Sequence, residues 1–196
     1  WKLKASFKSI NSYYWFLRLR GWKIDDFETK RKSFGNSYAL PKPFKKLNEM
    51  SPILMKLVTK MSFRLRKANF KAQCVHLAVY YRDGSFWHKG VKTPKVLFNT
   101  RDIYKEALRL LTLSFLGKPV REISVSCFNL IKDKNSQLEF FEDVLKKEKL
   151  TKSIDNINNR WGEFIVYKAK MINTESYVPD RIAFGGIKEL EEFTLG

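Results

Sequence analysis

The sequence has 196 residues, 44% of them hydrophobic, which excludes a disordered chain and leaves room for one domain with an appendage or for two small domains. Its two cysteines, Cys74 and Cys127, lie in alternating apolar runs, which predicts buried free thiols and a reducing, cytoplasmic location. The net charge of +18 is concentrated in the first half of the chain. Residues 1–100 hold 22 Lys and Arg against 5 Asp and Glu (+17), whereas residues 101–196 hold 16 Lys and Arg against 15 Asp and Glu (+1). The positive charge of the first half predicts a polyanionic partner.

The N-terminal part is predicted to be the end of a helical unit. Apolar residues recur at helical spacing from Phe7 to Leu17, and Gly21 stands where a helix would stop. The start at Trp1, without Met or leader features, is interpreted as a cut within a longer protein. Residues 29–32 are polar and basic without apolar periodicity, which predicts a tether to the next unit.

Residues 33–131 alternate between strand and helix periodicity. The predicted elements are a strand over 33–40 that ends at Pro41 and Pro43, a helix over 47–66 with Ser51-Pro52 as its N-terminal signal, a strand over 75–81, the turn Asp83-Gly84, a strand over 85–91, a helix over 100–115 capped by Thr100, and a strand over 120–130. This order predicts an α+β fold of the βαββαβ type. Its four-stranded antiparallel sheet would be covered by two helices on one face, with the other face open.

The remaining residues, 132–196, are predicted to be an extension with a short helix over 153–161, a strand-like stretch over 164–171 and a loop-rich end. No apolar run in the sequence approaches the roughly 18 residues of a membrane-spanning helix, so no membrane partner is expected. His76 and His88 have no CxxC or HExxH neighbour, so no metal site is predicted.

Several segments, in the right order, resemble the C-terminal part of Y-family (DinB/UmuC-like) translesion DNA polymerases. Residues 32–41 (KSFGNSYALP) look like the start of the family's little finger domain, and residues 75–83 and 119–126 look like its second and last strands. Residues 7–27 resemble the end of the thumb more loosely. Residues 137–143, 154–162 and 180–186 resemble the tail of the UmuC-like branch.

The resemblance implies four parts: the end of a helical thumb at 1–28, a basic tether at 29–32, a little finger DNA-binding domain at 33–131 and a UmuC-like extension at 132–196. The fragment would grip the backbone of a DNA primer-template during damage bypass without catalysing polymerisation. The family's acidic metal-binding motifs are missing, because Ser153-Ile154-Asp155-Asn156 copies only half of one of them. No cofactor is therefore expected here, whereas the parent DNA-directed DNA polymerase would need magnesium.

Ser33, Gly35 and Ser37 form a nearly bare strand face, which would let backbone N–H groups approach phosphates. Strict alternation points Arg121 inward with Ile123, and the register around Trp87 and His88 stays open. The whole predicted DNA-binding set is Lys30, Arg31, Lys32, Ser33, Gly35, Ser37, Tyr80, Arg82, Lys89 and Arg121. Two alternatives stay open: the small residues pack against another element, and the basic run is a solvated linker.

Residues 137–141 look like a sliding-clamp-binding peptide, in which Gln137 bonds the pocket rim and Leu138, Phe140 and Phe141 fill the pocket. The alternative is that both Phe side chains fold onto the domain itself. A different class of function also stays open, since RNA-binding and protein-interaction modules share the βαββαβ order, although no RNP-like aromatic pattern is found. The fragment is expected to be a monomer.

Overall fold

The computed structural model describes residues 5, 9–22, 31–114, 117–132 and 142–179, with backbone only for 142–144. The chain divides into two compact units, Trp1–Arg31 and Lys32–Gly196. In the first unit, helix α1 spans Asn11–Leu19. Gly21 follows it with a φ of 80° and donates its N–H to the carbonyl of Arg18 at 2.9 Å, which is how a left-handed residue closes a helix. The predicted stop at Gly21 is confirmed.

The second unit has the predicted βαββαβ order. Its elements are β1 (Ser33–Phe44), α2 (Leu47–Lys67), β2 (Phe70–Tyr81), β3 (Phe86–Leu97), α3 (Thr100–Leu113), β4 (Val120–Lys132), α4 (Glu142–Trp161) and a 3-10 turn at Ala169–Met171. The four strands form one antiparallel sheet in the order β1-β4-β2-β3. The α+β class and the split arrangement are therefore confirmed.

The core lies between one face of the sheet and helices α2 and α3. The sheet contributes alternate residues, such as Val75, Leu77 and Val79 on β2, all fully buried. The helices contribute apolar residues at helical spacing, among them Leu54, Leu57, Met61, Leu65, Ile103, Ala107, Leu110 and Leu111. Cys74 and Cys127 are buried free thiols, as predicted. Burial raises the pKa of the Cys127 thiol to about 12, with a smaller contribution from Cys74.

Helix α2 starts at Leu47 as predicted, but the predicted starting signals of both helices are wrong. Helix α2 begins at Leu47, ahead of Ser51-Pro52, and the Glu49 carboxylate accepts the backbone N–H of Lys46 at 3.3 Å. At α3 the cap is Asn99, whose side-chain oxygen accepts the N–H of Arg101 at 2.7 Å, and Thr100 is the first helical residue. Either side chain satisfies N–H groups of the first turn, which have no partner within the helix.

The two edge strands, β1 and β3, are longer than predicted and continue through proline residues. β1 continues through Pro41 and Pro43 to Phe44, with a register shift against β4 between Ala39 and Phe44. β3 likewise continues through Pro94. Both are edge strands of the sheet, where a missing N–H can face away from the neighbouring strand at no cost to the ladder.

The predicted strand over 164–171 is wrong, since this stretch is a turn followed by the 3-10 turn. Asn158 on α4 bonds both backbone groups of Val166: its Nδ2 donates to the carbonyl at 2.9 Å and its Oδ1 accepts the N–H at 2.8 Å. Phe164 takes a φ of 65°. These local bonds replace those that a strand would need.

Buried and half-buried cations hold the extension against α2. The buried ammonium of Lys56 donates to the carbonyls of Thr174, Glu175 and Tyr177 at 2.5–3.1 Å. Arg66 makes a two-bond ion pair with Asp155 of α4, at 2.6 and 2.7 Å. Across the described ranges, no helix is both long and apolar enough to cross a membrane.

Candidate nucleic-acid interface

The sheet face opposite the helices, called the open face below, has two different halves. Small side chains occupy the half built from β1 and β4 apart from Phe128 and Glu122 of β4, and aromatic rings occupy most of the half built from β2 and β3. The small half contains Ser33, Gly35, Ser37 and Ala39, which stand opposite Phe128, Ser126, Ser124 and Glu122. The aromatic half contains His76, Ala78 and Tyr80, which stand opposite Gly90, His88 and Phe86, with Lys92 further along β3.

A hydrogen bond fixes the orientation of the β1 backbone. The Arg64 guanidinium on α2 donates to the carbonyl of Gly35 at 2.6 Å, and a donor that comes from a helix rather than from β4 indicates that this carbonyl points away from β4. In an antiparallel strand the N–H and C=O of one residue point to the same side, and this side alternates along the strand. The N–H groups of Ser33, Gly35 and Ser37 therefore point to the free edge of β1, where they can donate to an anion.

The close approach of two backbones at Gly35 agrees with this orientation. Gly35 stands opposite Ser126, and an ideal Cβ on Gly35 would lie 3.1 Å from the Cβ of Ser126. Such proximity is typical of the antiparallel pairs that exchange no ladder bonds, whose Cα atoms are only about 4.5 Å apart. Two independent contacts thus assign the Gly35 amide to the outer side of β1.

Cations lie beside this edge. Lys32 is exposed and directly precedes β1, and the exposed Arg64 bonds a carbonyl of this strand. Arg31, the last residue of the first unit, is also exposed. Lys30 lies outside the described residues. On the open face itself, the described acidic side chain is that of Glu122, half-buried between Ala39 and Tyr80. The edge of β1 therefore combines outward N–H groups with positive charge, which suits an anionic backbone.

The aromatic half is a continuous row of rings. Tyr80 and Phe86 stack with centroids 5.9 Å apart and planes at 29°, and Phe86 stacks on His88 at 5.7 Å and 17°. His88 in turn lies 5.5 Å from His76, with a hydrogen bond of 3.4 Å between their ring nitrogens. Burial, and to a smaller extent the charge of His88, lower the pKa of His76 below its usual value. The register that the sequence left open is thus settled: His88 lies on the open face, and Trp87 packs against the core.

The structure brings together only part of the predicted DNA-binding set. Ser33, Gly35, Ser37 and Tyr80 lie on the open face, and Arg82 is exposed at the end of the β2–β3 hairpin. Lys89 stands opposite Leu77, so its position in β3 belongs to the other face, although its side chain is exposed.

The inward orientation predicted for Arg121 is wrong, because its side chain is exposed. Val120 and Ile123 are both buried, three positions apart, so strict alternation does not hold between them. The reason is a pair of register shifts, one against β1 between Ala39 and Phe44 and one against β2 between Tyr80 and Tyr81. Such irregularities bend a strand and redirect its side chains.

Sequence reasoning missed Arg64 and most of the aromatic row. Arg64 belongs to an amphipathic helix, and no local pattern indicates that its guanidinium reaches the Gly35 carbonyl, 29 residues away. Phe86 and His88 could be found only by fixing the hairpin register. The available signal was the turn Asp83-Gly84, since the observed pairing of Tyr80 with Phe86 is what a short connection would give.

No magnesium site fits the residues seen here. Asp155, the acidic residue of the Ser153–Asn156 stretch, is committed to its ion pair with Arg66, and it lies inside α4. Within the described ranges, no group of three potential metal ligands is found. The predicted clamp-binding residues Gln137, Leu138, Phe140 and Phe141 lie outside the described residues.

Comparison with known proteins gives consistent matches. Residues 31–140 match the impB/mucB/samB family C-terminal domain. The chain is 30% identical over 158 residues to DNA polymerase IV 2 of Bacillus subtilis (strain 168), in an alignment that covers 78% of this chain and 38% of the relative. It is 24% identical over 155 residues to DNA polymerase IV 2 of Halalkalibacterium halodurans, in an alignment that also covers 78% of this chain and 38% of the relative.

Among solved structures, a chimeric Y-family DNA polymerase superposes with a TM-score of 0.47 and 21% identity, over 67% of this chain and 38% of that one. The chain spans less than half the length of the curated relatives that it matches.

Proposed function

Because the chain belongs to the impB/mucB/samB family, with the family's C-terminal domain at residues 31–140, we propose that it is the non-catalytic, DNA-binding part of a Y-family translesion DNA polymerase. Residues 33–131 would act as the little finger domain, residues 1–28 as the end of the thumb, 29–32 as the tether and 132–196 as the extension. The parent protein would act in the cytoplasm during DNA damage repair, including the SOS response.

The orientation of β1 carries this proposal. Outward N–H groups at Ser33, Gly35 and Ser37 would donate to phosphate oxygens of the primer-template, with Arg64 and Lys32 supplying charge. Such contacts position a protein on a duplex without reading its sequence. Binding should therefore show little sequence preference and a steep dependence on salt. Polymerisation and its magnesium are proposed for a different part of the parent protein.

The test is the salt dependence of duplex binding. We expect the triple variant Lys30→Gln, Arg31→Gln, Lys32→Gln to lower the slope of log affinity against log salt by up to about 2.7, since each lost phosphate contact removes about 0.9. Fluorescence anisotropy with a labelled primer-template over a range of salt concentrations measures this slope.

A matched control neutralises three exposed cations on α3 and α4, namely Arg101, Lys105 and Lys149. The control should keep the wild-type slope, because these residues lie on elements remote from β1. Equal slopes in both triple variants and the wild type, at equal melting temperature, would reject a DNA interface beside β1 and favour the protein-interaction alternative.

We also propose that residues 137–141 bind a bacterial sliding clamp. Aromatic anchors usually dominate such small interfaces, so Phe140→Ala with Phe141→Ala should abolish binding measured by surface plasmon resonance. Leu150→Ala, at an exposed position on α4, is the control and should leave clamp binding unchanged. A double variant that unfolds at lower temperature and still binds the clamp would show that both Phe side chains pack on the domain instead.

A further inference from the structure

The aromatic row on β2 and β3, extended by Phe128 of β4, exposes more ring surface than a sheet face needs. Phe86 is 60% exposed, Tyr80 42% and Phe128 36%. A solvated sheet face is ordinarily polar, and exposed apolar patches on soluble domains usually mark binding sites. The rings do cover Ala78, which is only 7% exposed, but their own outer surfaces remain in water.

The row extends across the sheet. From the hairpin end it runs through Tyr80, Phe86 and His88 to His76, with successive centroids 5.5–5.9 Å apart. At its far end, His76 and Phe128 both lie over Gly90, since an ideal Cβ there would be 3.6 Å from Cδ2 of His76 and 3.4 Å from Cζ of Phe128. Glycine at this position leaves the two rings adjacent, so the row joins the small half of the open face.

We propose that the aromatic row, Tyr80, Phe86, His88, His76 and Phe128, stacks on unpaired bases of single-stranded DNA. This inference rests on the proposed function, and it adds a second kind of contact to the duplex backbone contacts at β1. A duplex hides the faces of its bases in its own stack, whereas every unpaired base offers a π-face to an aromatic side chain. Such stacking tolerates any sequence, as a damaged template requires.

Charge favours a nucleic acid over a protein as the occupant. Lys92 lies on the same face beside Gly90, and Arg82 is exposed at the hairpin end of the row. Glu122 lies opposite Tyr80 but is half-buried, so the exposed charges beside the row are positive. Asp83, the acidic residue of the hairpin, is neutralised by Lys118 at 2.6 Å. Rings flanked by cations that track a phosphate backbone are the usual composition of single-strand binding surfaces.

The test separates bases from phosphates by using three labelled probes with the full chain: a 15-nucleotide thymidine oligomer, an abasic oligomer of equal length and a blunt duplex. Phe86→Leu and Tyr80→Leu remove a ring and keep an apolar side chain. Each should weaken binding of the thymidine oligomer about tenfold, because one stacked base contributes on the order of one decade of affinity. Binding of the abasic oligomer should not change in either variant, and binding of the duplex should not change in Phe86→Leu.

Two further variants control for folding and chemistry. Tyr80→Phe keeps the ring and should retain wild-type affinity for the thymidine oligomer. Tyr167→Leu removes a ring that is 46% exposed on the C-terminal extension and should have no effect.

The stacking proposal would be overturned if the wild-type protein bound the thymidine and abasic oligomers with equal affinity. It would also be overturned if Phe86→Leu lowered the affinity for both oligomers by the same factor. Duplex binding that persists with its salt dependence would then leave the proposed function standing. Wild-type protein that does not bind the duplex, but still binds the thymidine oligomer more tightly than the abasic one, would instead reject the interface at β1.

Discussion

Gly35 on β1 and Ser126 on β4 face each other so closely that a Cβ on Gly35 would lie 3.1 Å from the Cβ of Ser126 and 3.4 Å from the carbonyl oxygen of Val125. Gly35 therefore matters for the packing of two strands as well as for a bare surface. Any side chain at Gly35 requires Ser126 or the Val125 carbonyl to shift by a few tenths of an ångström.

Gly35→Ala should lower the free energy of unfolding by about 1 kcal/mol, the lower end of the cost of overpacking. Adding Ser126→Gly removes the opposing Cβ, so the double variant should lose less free energy of unfolding than the two single variants lose together. Urea unfolding of the four proteins gives the coupling energy. Ser37→Ala, at an exposed position of the same strand, should change stability little, and strict additivity at Gly35 and Ser126 would contradict the close contact.

Arg64→Gln should weaken primer-template binding and reduce the salt slope by about 0.9, the value for one phosphate contact. The proposed reason is that its guanidinium lies at the outer side of β1, bonded to the Gly35 carbonyl. Arg101→Gln, an exposed arginine on α3, is the matched control. Anisotropy titrations at several salt concentrations compare the two, and an equal slope in both variants would remove Arg64 from the interface.

Lys56→Met should destabilise the protein by roughly 3 kcal/mol, because three carbonyl groups lose a charged donor inside the protein. Residues 171–178 should also exchange their amide hydrogens faster. Lys60→Met removes a cation that is only half-buried and bonds the carbonyl of Val178 at 2.9 Å, so it should cost less. Chemical unfolding and hydrogen exchange followed by mass spectrometry measure both effects, and equal costs would show that the three-carbonyl site does not anchor the extension.

The Asp83 carboxyl should titrate below the usual carboxyl range. Hydrogen bonds from Lys118 and then from the hydroxyl and N–H of Ser85 lower its pKa, so its charge stabilises the hairpin above the unfolded pKa of about 3.9 and this contribution is lost as pH falls through the folded pKa. Lys118→Met should raise the pKa of Asp83 toward the usual value, whereas Lys118→Arg should keep it low. NMR titration of the carboxyl carbon follows each protein, and an unchanged pKa in Lys118→Met would contradict the ion pair.

Local periodicity was enough to predict the order of the elements and the buried face of the sheet, because each element carries its own apolar pattern. It could not predict that β1 passes through Pro41 and Pro43, since this depends on β1 being an edge strand. The exposure of Arg121 follows from register shifts, which arise from pairing between distant strands. The contact of Arg64 with Gly35 likewise exists only once α2 packs on the sheet.

The bond from Arg64 to the Gly35 carbonyl occupies one of the hydrogen-bond acceptors on the outer side of β1. An added β-strand, from a second copy or another protein, needs both N–H and C=O groups from the edge that it joins. At Gly35 the carbonyl already has a charged donor, and further along β1 Pro41 and Pro43 supply no N–H. A phosphate needs donors alone. The same edge therefore disfavours sheet-to-sheet aggregation while it remains suited to an anionic ligand.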